Sequence, residues 1–437
     1  MNYLNSTKEE RQELLKGSYE ERLEASKECI RQVLAVAKSP VIQFSGGADS
    51  CVMADIIHNI NPDIPCLFND WGLFLPEQEA FCRKFFQKYE YKFTVMNSGV
   101  TWQDFITKKG FPIFKGLKYV DKADYNELKI TKSCRSLRKK CWSKFMKENP
   151  TTDYFFVGML ADESPQRKSL FIQYGFVSKK EKGTLVKPII LLTKQEVFDY
   201  LKKNKIMYPK DYYKDEYKGE TFEYNHCDLG CFLCGTRFKE YGFGRLGRLA
   251  RERPDIFHKT MDMGLRDTFQ KIREKYPQSE QVKLFLEEYD KEVETGFDLD
   301  GVLTVMPKRP KPFFQQTGAE RKVFTEKKLQ WFLDAPCLWN PQRPGHLITG
   351  RRENRRGLTE QWLSLNSVRY KALHMMDTKK SLTFDNIIEH KINKIKELGI
   401  KRYFEDDEKL VKGIRKACAD VEVIHVPRDT NSVKIIE

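Results

Sequence analysis

Val41-Ile42-Gln43-Phe44-Ser45-Gly46-Gly47-Ala48-Asp49-Ser50-Cys51-Val52-Met53-Ala54-Asp55-Ile56-Ile57 is the stretch whose reading decides the fold. Val41, Ile42 and Phe44 make the short apolar run of a buried strand, and Cys51 to Ile57 begins an amphipathic helix. Between them, Gly46 and Gly47 let the backbone approach a ligand with no Cβ in the way. The following helix offers N–H groups without intrahelical partners and the positive end of its dipole, which together suit an anion. No Gly-Lys-Ser/Thr follows, so this is a phosphate cradle of a different kind from a Walker A loop.

Outward from that loop the same alternation continues. Residues up to about Lys38 have the pattern of one or two helices. After the loop helix come a strand over Pro65–Asn69, a loop carrying Asp70, a helix, and a further strand in Lys92–Gly99. Tyr154 to Val157 is another apolar strand, and Thr193 with Glu196 three residues on forms a capping box ahead of a helix. Short strands alternating with helices predict an α/β fold with a doubly wound parallel sheet. Ligands of such sheets bind at the carboxyl ends of the strands, where Ser45 to Ser50 and Asp70 fall.

The chain has 437 residues, enough for two or three cored domains. No run of 18 apolar residues is present to span a membrane, and the charged N-terminus lacks the apolar core of a secretory signal. A cytoplasmic protein is expected. Net charge is +15, with a sequence pI of about 9.1, a balance that favours polyanionic partners. It is shared evenly, roughly +7 before Gly296 and roughly +8 after it. The arginine-rich stretches Arg245–Arg253 and Arg351–Arg356 are candidates to track phosphates.

Ser45-Gly46-Gly47-Ala48-Asp49-Ser50 resembles the pyrophosphate loop of the N-type ATP pyrophosphatases, a superfamily of sulfonucleotide reductases and of tRNA- and DNA-thiolating enzymes. Asp70-Trp71-Gly72-Leu73-Phe74-Leu75-Pro76-Glu77 is similar to the reductases' D-T-G-x-x-F-P-E segment, with Trp71 for Thr and Leu75 for Phe. Gly158 to Arg167 resembles their G-x-R-A-D-E-S-x-x-R segment, with Leu160 for the first Arg. The resemblance spans about residues 40–236, with five motifs in family order. It implies ATP binding by Ser45, Gly46, Gly47, Asp49, Ser50, Asp70, Asp162, Glu163 and Arg167, with Asp49 helping to place Mg²⁺.

Eleven cysteines are present. Cys29, Cys51, Cys66 and Cys82 lie in apolar runs and read as buried small hydrophobes. Cys227, Cys231 and Cys234 form C-x3-C-x2-C, thiolates close enough to wrap one soft metal centre. A 4Fe-4S cluster wants a fourth thiolate, and the resemblance points to Cys134, with Cys141 as substitute; zinc is the alternative metal. The reductases also carry a mobile C-terminal Cys nucleophile. Here no Cys follows Cys234 before Cys337.

The pattern resets after a charged helical stretch around Pro277. Asp298-Leu299-Asp300-Gly301-Val302-Leu303-Thr304 resembles the first motif of haloacid-dehalogenase-like (HAD) phosphohydrolases. The resemblance implies Asp298 as nucleophile and Asp300 as general acid/base, both facing one Mg²⁺ site. Thr349 in His346–Arg351 looks like the second motif. Lys391 is the best third-motif lysine, with Lys394 as alternative, and Asp406 and Asp407 are the fourth-motif metal ligands.

These readings give three segments: a pyrophosphate-loop domain over 1–236, a helical linker over 237–293 and a HAD-like domain over 294–437, the two domains each a doubly wound parallel sheet. The expected function is ATP-dependent adenylation and thiolation of a nucleic acid (tRNA or DNA) or nucleotide, with a sulfur donor such as a cysteine desulfurase, joined to an Mg²⁺-dependent phosphatase. The alternative is a sulfonucleotide reductase-like enzyme acting on small molecules.

Overall fold

A computed structural model describes residues 1–112, 117, 119–131, 134–181, 183–209, 214–217, 220–223, 238, 243–305 and 333–427. The chain divides into two compact units, Met1–Arg245 and Leu246–Glu437.

In the first unit, α1 (Lys8–Leu14) and α2 (Tyr19–Val36) each start from a full capping box, on Thr7 with Glu10 and on Ser18 with Glu21. There follow β1 (Pro40–Phe44), α3 (Ala48–Ile60), β2 (Cys66–Asp70), α4 (Pro76–Lys88), β3 (Phe93–Asn97) and α5 (Trp102–Lys109). After these come α6 (Arg135–Glu148), β4 (Tyr154–Val157), α7 (Pro165–Tyr174), β5 (Val177–Lys180), β6 (Gly183–Val186) and α8 (Lys194–Lys203). A separate hairpin pairs β7 (Lys214–Tyr217) with β8 (Glu220–Glu223). The six-stranded sheet runs β3-β2-β1-β4-β6-β5, and all its pairs are parallel except β5–β6. That edge departs from the all-parallel expectation because the tight turn between Lys180 and Gly183 permits only a hairpin.

β1 is the central strand of this half of the sheet. Its apolar residues Ile42 and Phe44 join the core with Cys51, Val52, Ile56 and Ile57 of α3, while Val41 faces a second cluster with Leu67, Cys141, Phe145 and Phe155. The chain leaves β1 to one side through β2 and β3, then returns to its other side as β4. The carboxyl ends of β1 and β4 therefore form a topological switch point, the crevice where α/β sheets take ligands.

The helix α9 (Gly244–Glu252) carries the chain across the boundary, and the second unit continues with α10 (Pro254–Thr260), α11 (Arg266–Lys275) and α12 (Glu280–Tyr289). The sheet follows, built from β9 (Thr295–Phe297), β10 (His346–Arg352), β11 (Ala372–Met376), β12 (Arg402–Glu405) and β13 (Glu422–His425). Its helices are α13 (Arg356–Leu365), α14 (Phe384–Glu397) and α15 (Glu408–Ala417). The order is β11-β10-β9-β12-β13, all parallel, which places a second switch point between β9 and β12. The helices read from sequence as a connector are packed parts of this unit. The His258 ring meets Phe404 edge-on at 5.4 Å, Trp339 Nε1 donates to Asp262 at 2.9 Å, and Arg266 lies buried between Asp262 and Asp290. A charged helix whose apolar stripe is short reads as solvated until the buried ion pairs that admit it to a core are seen.

No helix among the described residues is long and apolar enough to cross a membrane.

Candidate functional sites

The loop after β1 has the geometry of an anion cradle. α3 begins at Gly47 with no side-chain cap, in contrast to the capping boxes that open α1, α2 and α8. The Ser45 hydroxyl donates to that of Ser50 at 3.2 Å, and Ser50 in turn donates to the Gly47 carbonyl at 2.8 Å. From α4, the Gln78 amide donates to the Ser45 carbonyl at 2.6 Å and ties the loop down. Gly158, just beyond β4, lies so close that a Cβ there would sit 3.0 Å from Ser50 N.

The other candidates surround this loop unevenly. Asp49 pairs with Lys194 Nζ at 2.7 Å, and the Lys194 backbone N–H donates to Asp162 at 3.2 Å. Lys194 thus joins two expected site residues. It gave no sequence signal beyond following the Thr193 cap. Glu163 pairs with Arg167 and accepts from Leu160 N–H, so these two brace the turn after β4. Asp70 accepts from Gly72 N–H at 2.8 Å and from the Asn97 amide at 2.9 Å, shaping the end of β2. Beside Ser45 opens a cleft of about 970 Å³ whose walls include Trp71, Phe74, Arg138 and Trp142.

Cys134 is half-buried at the start of α6. Cys141 is buried against Val41, Leu67 and Phe155; its thiol donates to the Asp70 carbonyl, and burial raises its pKa to about 11. A thiol so placed is poorly suited to the substitute role. Cys227, Cys231 and Cys234 lie outside the described residues.

Residues 39–237 match a family model described as the phosphoadenosine phosphosulfate reductase domain. No curated protein matches the chain. Among solved structures, phosphoadenylyl-sulfate reductase from Candida auris in a phosphate complex is 15% identical at a TM-score of 0.33, over 47% of this chain and 91% of that one. The U34-tRNA thiolase NcsA from Methanococcus maripaludis with its [4Fe-4S] cluster is 15% identical at a TM-score of 0.31, over 63% and 81%. Candida glabrata FMN adenylyltransferase in complex with ATP is 10% identical at a TM-score of 0.31, over 47% and 65%. The matched stretch contains the Ser45–Ser50 loop and Lys194 alike.

The second constellation lies beyond this domain, at the switch point between β9 and β12. Asp298 follows β9 directly, and its N–H donates to the Phe404 carbonyl at 2.9 Å. Lys391, buried on α14, reaches Asp298 Oδ2 at 2.9 Å and Glu405 Oε2 at 2.6 Å. Asp298, Glu405 and Asp406 bring carboxylate oxygens within 4.8 Å of one another, a hard-oxygen set that suits a divalent cation such as Mg²⁺. A side chain at Gly301, whose φ is +90°, would fall 1.9 Å from Asp406, so the loop after β9 is pressed against the end of β12. Burial pushes the Asp298 carboxyl upward, with Lys391 opposing and Glu405 and Asp300 adding. Lys391 is held well above its usual value because its two carboxylate neighbours outweigh its burial.

Asp300 stands slightly apart, gripped by Arg351 through Nη2 at 2.6 Å and Nε at 3.0 Å. Thr349 is fully buried in the middle of β10 and accepts from Arg351 N–H at 3.2 Å. The carboxylate group thus has Glu405 where the sequence reading had Asp407. Asp407 instead caps α15, accepting from Lys409 and Leu410 N–H. Glu405 was overlooked although it opens the acidic triplet. Lys394, the alternative lysine, points to Glu397. The arginine-rich stretches are largely spent internally: Arg248 on Glu252, Arg253 on Asp255, Arg351 on Asp300, and Arg356 on Glu353 and Glu360.

Proposed function

We propose that the chain is a two-site enzyme that uses ATP to adenylate, and then thiolate, an oxygen-bearing position of a nucleic acid or nucleotide, and that also removes a phosphate as an Mg²⁺-dependent HAD-like phosphohydrolase. The observation that carries this reading is that each unit brings polar side chains together at its own switch point. At the first, the substrate oxygen attacks the α-phosphorus of ATP and pyrophosphate leaves. The uncapped start of α3 and the Lys194 ammonium supply positive charge for it. The transferred AMP is the leaving group that a sulfur nucleophile, delivered by a donor such as a cysteine desulfurase, would displace. Cys134, Cys227, Cys231 and Cys234 are candidates for an iron–sulfur cluster, and no step is assigned to it.

At the second site Asp298 attacks the phosphoryl group, Asp300 protonates the leaving oxygen and then activates water to hydrolyse the aspartyl phosphate. Lys391 and Thr349 hold the phosphoryl oxygens. Mg²⁺ at Asp298, Glu405 and Asp406 would offset the charge of nucleophile and phosphate. The alternative reading, a sulfonucleotide enzyme on small molecules, draws on the family match, but no Cys stands between Cys234 and Cys337 to serve as its nucleophile.

Two assays test the proposal. Pyrophosphate release from ATP should depend on added tRNA or single-stranded DNA and fall in Lys194→Ala. Hydrolysis of p-nitrophenyl phosphate should require Mg²⁺ and vanish in Asp298→Asn. ATP turnover stimulated by adenylyl sulfate instead of nucleic acid would favour the alternative. Anaerobic purification with iron, sulfide and zinc assay, alongside Cys234→Ala, decides the metal.

A further inference from the structure

The exposed face of α6 is used by neither reaction, and the cleft it walls adjoins the Ser45 loop. α6 carries six basic side chains against a single acidic one, Glu148. Arg135, Arg138, Lys139, Lys140, Lys144 and Lys147 are all exposed. Among the described residues no ion pair engages Lys139, Lys140, Lys144 or Lys147, in contrast to the arginine-rich stretches of the second unit. A solvated helical face normally interleaves charges of both signs; one-sign charge along a helix is an electrostatic footprint for a polyanion.

The same helix turns aromatic where it borders the cleft. Trp142 packs on Phe155 with ring centroids 4.4 Å apart, and Trp71 packs on Phe74 at 4.3 Å. The Arg138 guanidinium lies over the Trp71 ring, 5.8 Å from its centroid. Both indoles are part-buried and line the cleft that also reaches Ser45. Flat rings and a guanidinium plane beside a basic track are how proteins hold unstacked bases without reading their sequence. At about 970 Å³ the cleft is at the upper end of ordinary ligand sites, which run to about 1,000 Å³.

We infer that the exposed face of α6 is a track for single-stranded nucleic acid, its lysines following the phosphates while an unpaired base enters the Trp71–Trp142 cleft beside Ser45. This rests on the reading that the first unit modifies nucleic acid, and names the surface that would present the substrate. A duplex fits less well, because its bases have no free face to offer the indoles.

The test is binding of the full chain to a labelled single-stranded oligonucleotide of roughly 16 residues, as DNA and as RNA, against a duplex, across a salt series. Lys144→Glu with Lys147→Glu should weaken binding at least about tenfold and reduce the salt slope by about 2. Lys202→Glu with Lys203→Glu on α8 makes the same change in charge elsewhere and should weaken binding less than about twofold. Trp142→Leu should lower affinity at least roughly fivefold and diminish the quenching of tryptophan emission by the oligonucleotide. Equal losses in the two double variants, equal affinity for duplex, or no binding by the wild-type chain would each overturn the inference. The DNA and RNA arms distinguish the two sources of the strand. Pyrophosphate release is read separately: oligonucleotide binding without any ATP turnover would sink the proposed activity and leave the track standing.

Discussion

Lys391 is a single ammonium between two buried carboxylates, at 2.9 Å from Asp298 and 2.6 Å from Glu405. Removing one partner of a buried ion pair leaves uncompensated charge and costs about 3–5 kcal/mol. Lys391→Met should therefore abolish phosphatase activity and lower the melting temperature, with Mg²⁺ restoring part of the stability but none of the activity. Thermal melts with and without Mg²⁺ check this; a variant as stable as wild type would show the triad to be loosely held. A different lysine tests pH. Burial lowers Lys259 to about 8, opposed by Asp255 and helped by Arg253, from an ordinary 10.5. The unfolded chain then holds a proton that the folded one has lost, so stability from this group rises between about pH 8 and about pH 10.5 and is at its lowest below pH 8. Lys259→Met should stabilise the protein at pH 7 by roughly 1–2 kcal/mol and much less at pH 10, measured by urea unfolding at both values.

Elements were legible in the sequence where a strand and its ligand loop are contiguous. Val41 to Phe44 with the glycines after it, and Phe297 with Asp298 to Thr304 after it, each announced a strand and the loop that follows it. What sequence left obscure depends on distant segments meeting. Gln78 reaches Ser45 from α4, Lys194 reaches Asp49 across 145 residues, and Glu405 still belongs to β12 whereas Asp407, two residues on, already caps α15. The buried ion pairs that Arg266 of α11 makes with Asp262 and Asp290 look like surface charge when read singly. Two glycines test these joints. At Gly158 a Cβ would lie 3.0 Å from Ser50 N and 3.1 Å from the Asp49 carbonyl carbon, backbone that must shift to admit it. Gly158→Ala should weaken ATP binding roughly ten- to a hundredfold, measured by titration calorimetry, with little change in melting temperature. At Gly301 the φ of +90° and the 1.9 Å approach to Asp406 leave no such room. Gly301→Ala should cost at least about 1–2 kcal/mol for the backbone alone and eliminate Mg²⁺-dependent hydrolysis.

At the scale of the whole molecule, each candidate site is furnished, among the described residues, from its own unit: Ser45, Asp49, Gly158 and Lys194 in one, Asp298, Thr349, Lys391, Glu405 and Asp406 in the other. Both sit at the same topological address, the carboxyl end of a central parallel strand where the winding reverses. Among the described residues the two sites share no group, so the chemistry at each should survive loss of the other. Asp298→Asn should remove phosphatase activity by more than about a thousandfold while nucleic-acid-dependent pyrophosphate release stays within twofold of wild type, and Lys194→Ala should do the reverse. Both activities would be assayed on one preparation of each full-length variant. If either substitution depressed both reactions together without lowering the melting temperature, the sites would be steps of a single coupled reaction, with the product of one being the substrate of the other.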